Sequence, residues 1–134
     1  MMTLLVVEDN AHIRDLTVRA LQAEGYTVTQ AADGDAARRL MSERVFDVLV
    51  TDVMVPGATG IDLIAHLKAH HAETRIIVVS AIAQETALTD DEMRKKLGVD
   101  VFLSKPCKVE GLLHALRRLL RRPALPADQP LNDG

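Results

Sequence analysis

The sequence has little of several residue types that mark particular classes of protein. Its 134 residues include one cysteine, no tryptophan, one tyrosine and two phenylalanines. One cysteine cannot form an intrachain disulfide, which favours a reducing, cytoplasmic location. No run approaches the roughly 20 apolar residues that span a bilayer, and we expect neither a signal peptide nor membrane contact. The net charge of −3 gives no general reason to expect nucleic-acid binding.

The residues that are abundant predict one aliphatic core built by alternating strands and helices. Apolar residues make up 48% of the chain, and short apolar runs alternate with stretches of helical periodicity. Parallel strands need crossover connections, so this alternation predicts an α/β fold with a parallel sheet covered on both sides. The predicted strands are residues 4–7, 26–31, 45–51, 76–79 and 99–103.

Capping residues and apolar stripes define five predicted helices. Asn10 and Asp33 can cap the first two helices, and Thr89-x-x-Glu92 is a capping-box pattern for the fourth. The third helix is predicted over about 60–70, and residues 81–88 form a loop of undefined shape. The side chains expected to face the core are Ile13, Leu16, Thr17, Ala20 and Leu21 in the first helix, Ile61, Ile64 and Leu67 in the third, and Val109, Leu112, Leu113, Leu116, Leu119 and Leu120 in the fifth.

Domain organisation follows from where this pattern stops. Residues 1–122 are predicted to form one domain. Residues 123–134 contain Pro123, Pro126 and Pro130 and are predicted to be a flexible tail or the start of a linker.

Polar side chains that could carry chemistry stand at the carboxyl ends of the predicted strands. Glu8 and Asp9 follow the first strand, Asp52 the third, Ser80 the fourth and Lys105 the fifth. Ligands of doubly wound sheets bind beyond these strand ends. Three carboxylates, one hydroxyl and one ammonium are therefore expected at one rim of the sheet.

Three neighbouring carboxylates repel one another unless a cation lies between them. Oxygen ligands suit Mg²⁺, which takes one or two carboxylates directly and keeps several waters. We predict a magnesium site formed by Asp9 and Asp52, with Glu8 bound directly or through water and the backbone carbonyl of Met54 as a further ligand. Magnesium, an ammonium and a hydroxyl together can neutralise a phosphoryl group, and Asp52 can act as its acceptor.

The same residues resemble a known family. The receiver domain of bacterial two-component response regulators, of the chemotaxis-regulator kind, is similar to this sequence over about residues 3–121. The resemblance implies a flavodoxin-like sheet of five parallel strands in the order 2-1-3-4-5, with five helices. It is carried by Glu8-Asp9-Asn10, Asp52-x-x-x-Pro56-x-x-x-Gly60, Ser80-Ala81 and Lys105-Pro106.

The resemblance also implies roles for individual residues. Asp52 would accept a phosphoryl group from a histidine kinase or a histidine phosphotransfer protein. Glu8 and Asp9 would be the acidic pair around Mg²⁺. Ser80 and Lys105 would each contact a phosphoryl oxygen.

A switch is implied as well. Phe102 would turn inward when Ser80 moves toward the phosphate, although plain core packing in the fifth strand explains a phenylalanine there equally well. The Lys105–Pro106 peptide bond would be cis. The changed surface would comprise the fourth helix, the fifth strand and the fifth helix, where partners or a second receiver in a homodimer dock.

Alternative functions remain open at this point. The chain could be a stand-alone receiver or the receiver part of a larger regulator with a DNA-binding or enzymatic module. A phosphatase with an aspartate nucleophile would need a second aspartate two residues after Asp52, where the sequence has Met54. A flavin protein of this topology is disfavoured by the scarcity of aromatic residues. We therefore expect a regulatory domain and not an enzyme.

Overall fold

Strands and helices alternate along the chain in a computed structural model that describes residues 2–53 and 60–121. Met54 and the tail at 123–134 lie outside the described residues. The elements are β1 (Thr3–Val7), α1 (Ala11–Ala23), β2 (Thr27–Ala31), α2 (Gly34–Glu43), β3 (Val48–Thr51), α3 (Gly60–His70), β4 (Arg75–Ser80), a 3₁₀ turn (Ile82–Glu85), α4 (Asp90–Leu97), β5 (Val101–Ser104) and α5 (Val109–Arg121).

The five strands form one parallel sheet in the order β2-β1-β3-β4-β5. The predicted sheet order and the five helices are therefore confirmed. Val7 pairs with Thr51 and Thr51 with Val78, while Ser80 pairs with Ser104. This register places the carboxyl ends of four strands at one edge of the sheet.

The sheet separates two apolar layers because successive side chains of a strand point to opposite faces. Leu5 and Val7 of β1 belong to the layer on one face, and Leu4 and Val6 belong to the layer on the other. Helices α2, α3 and α4 cover the first face, and α1 and α5 cover the second. Buried side chains from the helices include Met41, Leu63 and Met93 on the first face and Val18, Leu21, Leu112 and Leu116 on the second.

The predicted helix caps are all formed. The Asn10 side chain accepts from the Ile13 N–H at 3.0 Å, and the Asp33 side chain accepts from the Ala36 N–H at 2.8 Å. Thr89 and Glu92 make both hydrogen bonds of the capping box. These contacts satisfy N–H groups that have no partner inside the helix.

The buried faces of two helices differ from the prediction. Ile13 and Leu16 of α1 are 42% and 49% exposed, so α1 packs on the sheet through its second half. Ile61 of α3 is 52% exposed, and the buried stripe runs instead through Gly60, Leu63, Ile64 and Leu67. An apolar stripe in a sequence shows which residues share a helix face, but it does not show how much of that face meets a partner.

Strand bounds also shift. Strand β3 begins at Val48 instead of residue 45, and Val45 is 55% exposed. Strand β5 begins at Val101, two residues later than predicted. The segment predicted as a loop over 81–88 contains the 3₁₀ turn, whose Ala83 is buried against the core.

Candidate functional site

The ammonium of Lys105 lies between two carboxylates at the carboxyl edge of the sheet. Its Nζ is 2.9 Å from Oδ2 of Asp52 and 3.0 Å from Oε1 of Glu8. The carboxylate side chains are 12% and 9% exposed, and that of Lys105 is 26% exposed. Limited access of water strengthens such contacts, because the effective dielectric constant is lower than in solution.

The topology explains how these three side chains meet. Glu8 and Asp52 follow β1 and β3 directly, and those two strands are neighbours in register. Lys105 follows β5, which is two places from β3, with β4 between them. Neighbouring strands are about 4.8 Å apart, so the long lysine side chain is needed to reach across the end of β4.

Glu8 is held in place from several directions. Its Oε2 accepts the Asn10 N–H at 3.0 Å, while its other carboxylate oxygen binds Lys105. Nη1 of Arg14 donates to the Glu8 backbone carbonyl at 2.8 Å. The roles of Asn10 and Arg14 at the site were missed from the sequence. Their closeness to the Glu8-Asp9 pair was the available signal. Asn10 was predicted as a helix cap and as part of the Glu8-Asp9-Asn10 motif, but no contact with Glu8 was predicted for it.

Ser80 and Phe102 are both buried, at the end of β4 and within β5. Ser80 is fully buried at the end of β4, and its Oγ accepts the Ile82 N–H at 3.2 Å. Phe102 is 4% exposed and belongs to the apolar layer that includes Ala83 and Met93. Its ring is therefore already inside the protein, which is compatible both with core packing and with the inward position of a switch.

Lys105 stays charged at neutral pH. Burial acts to lower the pKa of its ammonium, but hydrogen bonds to Asp52 and Glu8, together with their charges, outweigh burial and raise the pKa. The peptide bond between Lys105 and Pro106 is cis.

The donor set at the rim suits a hard divalent cation. Asp9 is exposed beside Glu8, so three carboxylates outnumber the Lys105 ammonium by two charges. Among residues 2–53 and 60–121, no three His, Cys, Asp or Glu side chains are arranged to enclose a metal ion. Magnesium does not need such an enclosure, since it takes one or two carboxylates and completes its shell with water. The predicted ligand Met54 lies outside the described residues.

A groove of about 490 Å³ opens beside the charged cluster. Asp52, Glu8 and Lys105 line one part of it, and the remainder is mostly apolar. The apolar lining includes the exposed side chains of α1 and the residues after β5: Ile13, Leu16, Pro106, Cys107 and Val109. The two residues of α1 that were wrongly predicted to face the core, Ile13 and Leu16, therefore border the candidate site.

Known proteins resemble this chain in sequence. A family model described as the response regulator receiver domain matches residues 4–117. The transcriptional regulatory protein TcrA of Mycobacterium tuberculosis is 35% identical over 131 residues, which are 98% of this chain and 51% of TcrA. The chain thus spans about half the length of the curated relatives it matches.

Solved structures show the same fold. The chemotaxis response regulator CheY4 of Vibrio cholerae superposes with a TM-score of 0.75 at 29% identity, covering 89% of this chain and 98% of CheY4. The response regulator TrrA of Thermotoga maritima, solved in complex with Mg²⁺-BeF, superposes with a TM-score of 0.75 at 24% identity, covering 89% of this chain and 99% of TrrA. In the part of the chain that the structure describes, no helix is long and apolar enough to cross a membrane.

Proposed function

The chain belongs to the response regulator receiver family, and from that premise we propose that Asp52 accepts a phosphoryl group from a phosphohistidine. A receiver is a phospho-accepting regulatory domain of two-component systems and not an enzyme, and it implies a cognate histidine kinase. The donor would be that kinase or a histidine phosphotransfer protein. The observation that carries the proposal is the Lys105 ammonium, which contacts the carboxylates of both Asp52 and Glu8.

The transfer needs one bond to form and one to break. A carboxylate oxygen of Asp52 attacks phosphorus, the P–N bond to the donor histidine breaks, and its electron pair returns to the imidazole. Lys105 then shares its ammonium between Glu8 and a phosphoryl oxygen, and the Ser80 hydroxyl donates to another oxygen. These contacts neutralise charge that develops on the transferred group.

Bound Mg²⁺ would supply the remaining positive charge at the phosphoryl oxygens. Asp9 and Asp52 would hold it directly, and the carbonyl of Met54 is proposed as a further ligand. Both carboxylate oxygens of Glu8 already have partners, which favours contact of Glu8 with the ion through water.

Switching would start at Ser80. Phosphorylation adds three strong acceptor oxygens and roughly −1.5 to −2 charges. Because Ser80 Oγ is bonded to the Ile82 N–H, movement of Ser80 toward the phosphate would act on the 3₁₀ turn and then on α4. Phe102, which packs in the same layer as Ala83 of that turn, is the proposed aromatic switch.

The output is proposed to be protein contact through α4, β5 and α5, including a homodimer formed through this surface. We propose no direct nucleic-acid contact from this domain, in line with the net charge of −3, and a cytoplasmic location without membrane contact. The proposal holds both for a larger regulator with its own effector module and for a stand-alone receiver.

The proposal is tested by incubating the protein with acetyl phosphate and recording its intact mass. We expect a labile phosphoryl adduct that requires Mg²⁺, with yield falling roughly tenfold or more when EDTA removes the metal. Fragmentation should place the adduct on Asp52. An adduct that forms equally well without Mg²⁺, or no adduct at all, would contradict the proposal.

The groove supports a protein as the phosphoryl donor. Leu16 is half exposed and lines the same groove as Asp52, so an apolar surface is accessible on the face that a donor must approach. We expect Leu16→Arg to slow transfer from any phosphorylated histidine protein that modifies the wild type, by roughly tenfold, because a charged side chain disrupts an apolar contact. Transfer from acetyl phosphate should be unchanged.

Val45→Arg is the matched control for this prediction. Val45 is similarly exposed, at 55%, but it precedes β3 at the opposite edge of the sheet. Both rates of this variant should equal those of the wild type. If Leu16→Arg left transfer from the histidine protein unchanged, donor docking in the groove would be wrong.

A further inference from the structure

The segment between β4 and α4 is fastened to the end of β5 at two points. Nε2 of Gln84, in the 3₁₀ turn, donates to the backbone carbonyl of Lys105. The carboxylate of Asp90, the first residue of α4, accepts from both the backbone N–H and the hydroxyl of Ser104, the former at 3.3 Å. We call these two contacts, made by Gln84, Asp90, Ser104 and Lys105, the clasp.

One side of the clasp is fixed to the sheet. Ser104 is paired with Ser80 in the register of β4 and β5, and the Lys105 N–H donates to the Ser80 carbonyl at 2.9 Å. The Lys105 side chain is held in addition by Asp52 and Glu8. Residues 104 and 105 are therefore anchored at the phosphoacceptor itself.

The other side of the clasp belongs to two short helical elements. The 3₁₀ turn has four residues and α4 has eight, and helices this short depend on contacts outside themselves for stability. Buried contacts of this segment include Ala83 and Met93. Its start is coupled to Ser80 through the hydrogen bond from the Ile82 N–H to Ser80 Oγ.

We infer that Gln84 and Asp90 are positioning residues whose clasp on residues 104–105 holds the unphosphorylated arrangement and opens when Ser80 follows the phosphoryl group. The inference rests on the proposed function. Ser80 cannot draw Ile82 toward Asp52 without displacing the 3₁₀ turn relative to Lys105, whose side chain stays bonded to Glu8. The clasp thus opposes switching, and it lowers the apparent affinity for any ligand that binds the switched state.

The test measures affinity for beryllofluoride, a phosphoryl mimic, in the presence of Mg²⁺. Isothermal titration calorimetry is applied to the full chain and to Gln84→Met and Asp90→Ala. A net hydrogen bond changes an equilibrium roughly two- to tenfold, so each variant should bind beryllofluoride tighter by that factor. Affinity that is unchanged or weaker in both variants would overturn the inference.

Asp91→Ala separates the clasp from a general effect on α4. Asp91 shares the first turn of α4 with Asp90, but its carboxylate pairs with Arg94 and Lys95 of the same helix. Its removal should lower the melting temperature about as much as Asp90→Ala, because both acids favour the helix N-terminus. Its affinity for beryllofluoride should equal that of the wild type, and an equal gain in affinity would overturn the inference.

The same experiment also tests the proposed function, and the outcome that would refute that function differs from the outcome that would refute the clasp alone. Wild-type protein that does not bind beryllofluoride, or Asp52→Asn protein that binds it equally well, would refute phosphoacceptance at Asp52 and with it the clasp. Wild-type binding that depends on Asp52, together with unchanged affinity in the clasp variants, would refute the clasp alone.

Discussion

Replacing Asp52 by asparagine is expected to abolish the phosphoryl adduct that acetyl phosphate forms with the wild type. The amide has the shape of the carboxylate, but its oxygen is a poor nucleophile and carries no charge to attract Mg²⁺. The fold should persist, because Lys105 keeps its contact with Glu8 at 3.0 Å. Intact mass measures the adduct, and a thermal melt of the same sample shows that the variant is folded.

Asp47→Asn is the matched control, because Asp47 precedes β3 just as Asp52 follows it. Asp47 lies just before β3, at the opposite edge of the sheet, where its carboxylate accepts from the Thr3 N–H at 2.8 Å and the Thr3 hydroxyl at 3.0 Å. This variant should form the adduct in full yield. An adduct of equal yield on Asp52→Asn would show that the acceptor is another group of the rim, of which Glu8 and Asp9 are the nearest candidates.

The arrangement of the strands and the place of the site could be predicted from the sequence because both follow from local patterns. Short apolar runs such as residues 4–7 are buried on both faces, and they are separated by capped helices. In a parallel sheet of this kind, the residues after each run must meet at one edge. The contact of Lys105 with Asp52 and Glu8 is a consequence of that rule together with the reach of a lysine side chain.

Features that depend on contacts between distant parts of the chain could not be predicted in this way. Ile13 and Leu16 lie on an apolar stripe of α1. They are nevertheless exposed, because only the second half of the helix packs against the sheet. The segment 81–88 shows no hydrophobic periodicity from which a helix could be predicted. Its 3₁₀ turn is held instead by single contacts, such as that of Gln84 with the Lys105 carbonyl. A glutamine in a loop has many potential acceptors, and only the folded chain selects one.

Gly60→Ala is expected to destabilise the protein by about 3 kcal/mol. Gly60 begins α3, and its N–H donates to the Val53 carbonyl at 3.3 Å. A Cβ at this position would overlap the Cα of Val53 and the carbonyl oxygen of Asp52. Both are backbone atoms, which cannot turn away as a side chain does. The clash would displace the phosphoacceptor as well, so the rate of phosphorylation should fall together with stability.

Gly111→Ala tests whether the lack of space for a side chain is what destabilises the Gly60→Ala variant. A Cβ at Gly111, inside α5, would meet the Sγ of Cys107 at 3.6 Å, an ordinary contact. Alanine should stabilise that helix, since glycine costs up to about 1 kcal/mol in a helix interior. Urea denaturation of the two variants should therefore move the midpoint in opposite directions. Equal shifts would mean that helix propensity governs both sites. Opposite shifts would show that a glycine is required where α3 crosses the backbone of Asp52, eight residues along the chain, because the two segments are too close for a side chain.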